Sequence, residues 1–347
     1  MSHHNEAPLL EVSGLRKSFD LSKPFINRVI ERSERQLVKA VDGVDFTIQR
    51  GQTLSLVGES GCGKSTVAKL IMGLTRPSGG SIRFEGSELA GQVAGKPAHV
   101  RRRMQMIFQD PYASLNPRWR VARIIAEPMK SFGTHPDPEA RRREVDRLLE
   151  FVGLGAADGD KFPHEFSGGQ RQRISIARAI STKPEFLVCD EPTSALDVSV
   201  QAQILNLMRE LQRELGLTYL FISHDLAVVN YISDWIGVMY LGRLVELAPA
   251  AEIFAKPQHP YTRLLLDTVP DISMSNRDIE RPAGEVPNPI TPPPGCHFHP
   301  RCPHANARCK TEMPEFIASA TGHARCHAVQ EGRLSAPTTA PAAAGAV

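Results

Sequence analysis

Hydrophobic and polar positions along the chain change period several times, and these changes mark out its elements. Residues 10–19 and 38–49 read as half-buried strands, and in the second Val44, Phe46 and Ile48 share one face. Residues 53–57 form a continuous apolar run that stops at Gly58, the pattern of a buried strand. Residues 64–73 follow at helical spacing, with Val67, Leu70, Ile71 and Leu74 on one side. Further strands are predicted at 104–108, 186–189, 219–223 and 236–240, and helices at 138–152, 169–180 and 198–215. Strands interleaved with helices predict an α/β fold with substantial parallel character.

The remaining segments are connections and ends. Residues 1–9 read as a flexible polar tail that includes His3 and His4, and residues 20–37, basic and containing Pro24, as a loop insertion. The α/β unit occupies residues 10–270, with no internal repeat. Six prolines, from Pro282 to Pro294, make 271–294 a stiff extended linker. A cysteine-rich module is expected at 295–329 and a disordered tail at 330–347.

Composition narrows the class. Of 347 residues, 41% are hydrophobic, enough to bury a sizeable core. The net charge of +3 gives no footprint for nucleic acid, and Arg101–Arg103 reads as a solvated face. No apolar stretch approaches the roughly 20 residues of a membrane span, and the first residues lack the basic and apolar regions of a secretory signal. The expected location is the cytosol, or the cytosolic face of a membrane.

Two motifs carry phosphate chemistry. Gly58-Glu59-Ser60-Gly61-Cys62-Gly63-Lys64-Ser65-Thr66 fits G-x-x-x-x-G-K-[ST] between a strand and a helix. Its glycines let backbone N–H groups turn toward phosphate oxygens, and the helix N-terminus adds positive potential. Lys64 is expected to reach the β- and γ-phosphates of ATP, Ser65 to bind Mg²⁺ and Thr66 to add a phosphate contact. The run Phe186-Leu187-Val188-Cys189-Asp190-Glu191 is an apolar strand ending in two carboxylates. Asp190 can hold Mg²⁺ and Glu191 can polarise the attacking water, while Cys189 reads as a small buried apolar residue.

Further segments carry a family resemblance. Phe166-Ser167-Gly168-Gly169-Gln170 resembles the ABC signature, Gln109 the Q-loop glutamine, His224 the switch histidine and Ser194-Ala195-Leu196-Asp197 the D-loop. The chain therefore resembles the ABC-type P-loop ATPases, which implies a helical subdomain near residues 110–180. It also implies that Ser167, Gly168, Gly169 and Gln170 face the ATP held by a second subunit. Gln109 is expected to touch Mg²⁺ or the attacking water, and His224 the γ-phosphate. Phe19 is the candidate for stacking on adenine, with Phe25 as the alternative.

Flanking stretches narrow the resemblance to the ATPase subunits of dipeptide and oligopeptide importers. They include residues 109–117, His259-Pro260-Tyr261-Thr262 and Cys296-His297-Phe298-His299-Pro300-Arg301-Cys302-Pro303. Partners implied are two membrane-spanning permease subunits, a second paralogous ATPase subunit and, indirectly, a solute-binding protein. Nickel, glutathione or oligosaccharide importers, and non-transport ABC ATPases, are the alternatives. Cys296, Cys302, Cys309 and Cys326 crowd one region of a chain expected to be cytosolic, which points to metal before disulfides. Four thiolates suit zinc or a [4Fe–4S] cluster, and four free thiols are the third possibility. The resemblance favours iron–sulfur.

Overall fold

A computed structural model of the chain describes residues 7–22, 36–89, 98–267 and 285–334. The ends of the expected tails, the centre of the 20–37 insertion with Phe25, and most of the 271–294 linker lie outside the described residues.

Two sheets form the framework. In the first, β1 (Leu10–Asp20), β2 (Leu37–Ile48), β4 (Gly79–Phe84) and β5 (Ser87–Glu88) run antiparallel in the order β2-β1-β4-β5. The pairing of β1 with β2 continues out to Asp20 opposite Leu37, so both edges of the expected insertion are strand.

The second sheet has eight strands. They are β3 (Thr53–Val57), β6 (Met104–Ile107), β7 (Phe186–Asp190), β8 (Thr218–Ile222), β9 (Trp235–Tyr240), β10 (Arg243–Pro249), β11 (Ile317–Ala318) and β12 (His323–Ala324). Their order is β11-β12-β10-β9-β3-β8-β7-β6, parallel from β9 to β6 and antiparallel beyond.

The continuous apolar runs have a direct cause: the parallel strands are covered on both faces. Along β7, Leu187 and Cys189 join one core cluster while Phe186 and Val188 join another. Along β8, Tyr219 and Phe221 divide from Leu220 and Ile222 in the same way. One face packs on α1 (Lys64–Ile71) and the antiparallel sheet. The other carries the expected helical layer.

Between α2 (Ala98–Arg103) and β7 the chain forms α3 (Pro111–Ser114), α4 (Val121–Phe132), α5 (Pro138–Phe151) and α6 (Gly168–Ile180). Val121, Ile124, Ile125, Pro128 and Met129 give α4 one buried stripe, which packs with Val145, Leu148 and Leu149 of α5 and Ile174 of α6. The α7 helix (Val198–Leu215) adds Ile204, Leu207, Met208 and Leu211 to this core. Then come α8 (Leu226–Ile232), α9 (Ala250–Ala255), α10 (Pro260–Asp267), α11 (Ala307–Thr311) and α12 (His327–Gln330).

The segment expected as a cysteine-rich module is joined to the main sheet. Ala324 pairs with Glu246 and His323 with Leu247, so the segment extends the eight-stranded sheet. Phe298 belongs to the same core cluster as Tyr240 and Tyr261, and Cys296 and Cys302 pack against that cluster. Two-residue strands bury too little to show a period in sequence.

Arg103, read as part of a solvated run, instead ties the end of α2 to the segments carrying Glu85 and Glu185. It makes two bonds to Glu185, at 2.5 and 2.7 Å, and contacts Glu85 at 2.5 Å. Arg50 bonds the same two carboxylates. The bonds from Arg103, then those from Arg50, hold the Glu185 carboxyl down at about 2 from its ordinary 4.5. A depressed carboxyl stabilises the fold above its unfolded pKa, and that contribution disappears as pH falls from about 4.5 to about 2. Glu185→Gln should therefore lower stability at pH 7 by on the order of 1 kcal/mol, since the group is partly screened by solvent. The gap from wild type should close through that acid window, which urea unfolding at a series of pH values measures.

Candidate nucleotide site

Four parallel strands end side by side. Leu56 pairs with Ile222, Ile222 with Asp190, and Cys189 with Ile107. The Gly58 loop, Ser223-His224, Asp190-Glu191 and Phe108-Gln109 therefore leave the sheet at one edge, the carboxyl edge where α/β sheets hold ligands.

The loop after β3 requires glycine for a steric reason. A Cβ at Gly58 would sit 2.2 Å from the Met239 carbonyl oxygen, and one at Gly63 2.2 Å from that of Ala40. Both residues also have positive φ, of 146° and 107°. Lys64 follows and is only 4% exposed. Its ammonium donates to the carbonyls of Gly58 (2.6 Å) and Glu59 (3.1 Å), which satisfies the charge from within the loop. Burial raises the pKa of Cys62, keeping a neutral thiol against the loop.

Ser65 Oγ donates to Asp190 Oδ1 at 2.8 Å. Burial raises the Asp190 pKa, and the Ser65 bond opposes that rise. Gln109 Nε2 donates to Glu191 Oε2 at 3.0 Å, and His224 Nδ1 lies 3.3 Å from the same oxygen. Glu191 itself has a φ of +46°, strained for a residue with a Cβ. Asp225 accepts the N–H groups of Ala227 and Val228 and so caps α8 directly after His224.

Ser60, Gly61, Gly63, Lys64, Ser65 and Thr66 line one cavity of about 440 Å³ together with Gln109, Glu191 and His224. Thus most of the loop and all three polar residues expected from separate motifs meet. A larger groove of about 670 Å³ beside α7 and α8 contains none of the motif residues.

Other expected residues fall elsewhere. Phe19 lies outside the cavity lining, with Lys17 over its ring, although it pairs with Val38, which does line the cavity. Pro289, from the expected linker, joins Val38, Lys39, Leu241 and Gly242 along the wall. Its placement follows from the fold of the C-terminal segment, and no local motif signals it.

The turn Ser167–Gln170 is mostly exposed and outside this cavity. Ser167 and Gln170 cap one another reciprocally at the start of α6. A Cβ on Gly169 would meet Val200 Cγ1 of α7 at 2.5 Å. Ser194, in the segment resembling the D-loop, bonds the Glu191 carbonyl at 3.1 Å.

The four C-terminal cysteines are gathered, each thiol within electrostatic reach of the others. Burial pushes Cys296 up to about 12 and Cys302 to about 11. Among the described residues, however, no group of three or more His, Cys, Asp or Glu is placed to hold a metal ion. Cys309 and Cys326 are buried, Cys296 and Cys302 half-buried, and none is in a disulfide, so the iron–sulfur or zinc site expected on these four is not assembled among the described side chains.

Comparison with known proteins agrees with this geometry. The ABC transporter family model matches residues 41–194, and the model for the oligopeptide/dipeptide transporter C-terminal region matches 245–309. The chain is 46% identical to the oligopeptide transport ATP-binding protein AppF of Bacillus subtilis, over 94% of this chain and 99% of that one. It is 47% identical to the dipeptide transport ATP-binding protein DppF of Haemophilus influenzae, over 89% and 93%. CbiO1 of Clostridium perfringens, part of an ABC transporter complex, shares the fold with a TM-score of 0.59 at 28% identity, over 72% of this chain and 92% of that one. A dimeric ATP-binding cassette bound to ADP and Pi matches with a TM-score of 0.61 at 24% identity, over 70% and 98%. The chain belongs to the ABC transporter family, among the oligopeptide and dipeptide transport ATP-binding proteins.

Proposed function

We propose that this chain is the ATP-hydrolysing subunit that powers a membrane importer for dipeptides or oligopeptides. The observation carrying this is the Glu191 carboxylate, which Gln109 and His224 both contact in the cavity that Lys64 and Ser65 also line. The peptide class is supported by the printed descriptions of the relatives and of the matching C-terminal region.

The residues divide the work. Backbone N–H groups of the glycine loop receive the phosphates, and Lys64 exchanges its carbonyl partners for phosphate oxygens. Ser65 and Asp190 present two oxygens 2.8 Å apart, a donor set that fits a hard cation. They would hold Mg²⁺, which neutralises charge on the phosphates when bound. Glu191 takes the proton of the attacking water, and the Gln109 amide fixes the carboxylate that receives it. His224 leaves Nε2 for the γ-phosphate.

The signature turn serves a second subunit's nucleotide, so hydrolysis needs a paired ATPase, taken here as a paralogue. Its exposure away from the chain's own cavity supports this, as does the dimeric state of a similar cassette. The pair works on two permease subunits at the cytoplasmic face of the cell membrane, with a solute-binding protein delivering the peptide. Among the described residues no helix is long and apolar enough to cross a membrane.

A metal role for the four cysteines is retained as a proposal, supported by their mutual proximity. In the assembled complex, Glu191→Gln should bind ATP normally yet lose about 10² to 10⁴ in turnover, the usual worth of a general base. Near-normal ATPase would remove Glu191 from that role. Anaerobic purification followed by iron, sulfide and zinc analysis should find iron and sulfide. Finding neither iron nor zinc would leave four free thiols.

A further inference from the structure

Glu59, the second residue of the phosphate loop, is held at three points. Its carbonyl accepts from the Lys64 ammonium at 3.1 Å. Its N–H donates to the Tyr261 hydroxyl of α10 at 2.9 Å. Its carboxylate receives both terminal nitrogens of Arg301, at 2.9 and 3.0 Å, from a residue 242 positions away. This fork-to-fork geometry is the strongest and most directional form of charge-assisted bond.

The other side of the contact is rigid. The Arg301 side chain is only 7% exposed, so its charge requires the partner it has. Tyr240, Tyr261 and Phe298 pack ring against ring beneath it, with centroids 4.6 to 5.5 Å apart. The start of α10 is fixed as well. Buried Glu246 accepts the N–H groups of Gln258 and His259, both at 2.8 Å, and His259 Nδ1 accepts the N–H of Tyr261 at 3.0 Å. Arg301 closes a short turn, His299–Arg301, that Cys302 follows directly.

We propose that Arg301 and Tyr261 are positioning residues of the ATP site: by fixing the Glu59 peptide, the C-terminal segment sets how tightly the loop holds ATP. Two physical effects act in the same direction. A peptide already held in place has less conformational freedom to lose when the phosphates bind. A paired carboxylate also repels the incoming phosphates less than a bare one. The proposal rests on the nucleotide-binding part of the function above and needs neither the peptide cargo nor a metal at the cysteines.

The test measures binding of a fluorescent ATP analogue with Mg²⁺ to the full chain, alongside its melting temperature. Arg301→Met, which loses the fork and leaves a bare carboxylate, should weaken binding roughly fivefold to thirtyfold, the scale of one lost charge-assisted pair; Glu59→Gln, which loses the fork and the carboxylate's repulsion together, should weaken it less. The double variant should weaken it no further than the worse single variant, because both break the same pair. Arg301→Lys, which keeps the charge but not the fork, should recover part of the loss. Tyr261→Phe removes one hydroxyl and keeps the ring packing, so it should fold and still bind more weakly, by about threefold. In the assembled complex the Tyr261→Phe loss should appear in KM, with kcat changed less than about twofold. Unchanged affinity with a lowered melting temperature in Arg301→Met, fully additive losses in the double variant, or unchanged affinity in Tyr261→Phe would each overturn the proposal. Failure of the wild-type chain to bind the analogue would instead overturn the nucleotide-site assignment beneath it.

Discussion

The parallel register of β3, β8, β7 and β6 is the constraint on which the site depends. Because these strands end level, four loops far apart in sequence are delivered to one edge. Register, in turn, is enforced by burial on two faces. A slip of one residue in β7 would exchange Leu187 and Cys189 with Phe186 and Val188 between clusters of different shape. Packing deep in the sheet therefore aligns a carboxylate, an amide and an imidazole at its rim.

Much of this was legible in the sequence because the informative features are local. The phosphate loop needs glycine at Gly58 and Gly63 because the carbonyls of Met239 in β9 and Ala40 in β2 crowd them, and such a need leaves a pattern nine residues long. Asp190, Glu191 and His224 each follow an apolar strand, so their placement at a strand end could be read before their mutual contact was known. The helical layer was only partly visible. Pro128 lies inside α4 and weakens the helical signal there, yet its ring fills the buried stripe.

What could not be read are contacts between distant segments. Nothing near Arg301 announces Glu59, and nothing near Pro289 announces the wall of the nucleotide cavity. Phe19, the candidate for adenine, pairs with Val38 of the cavity wall but is not itself among the lining residues. The four cysteines, crowded in the sequence, lie within electrostatic reach of one another, but their spacing does not fix a ligand geometry. The pairing of the C-terminal segment with β10, which joins it to the main sheet, is likewise a contact that its own residues do not signal.

Glu191 occupies a left-handed backbone conformation that glycine or asparagine adopts with less strain. The replacements that would most relax the chain at this position are thus ones that remove its carboxylate. Selection for a tougher protein and selection for a working motor pull apart at a single residue. A version of this chain optimised for endurance alone would drift toward one that grips its fuel and does not spend it.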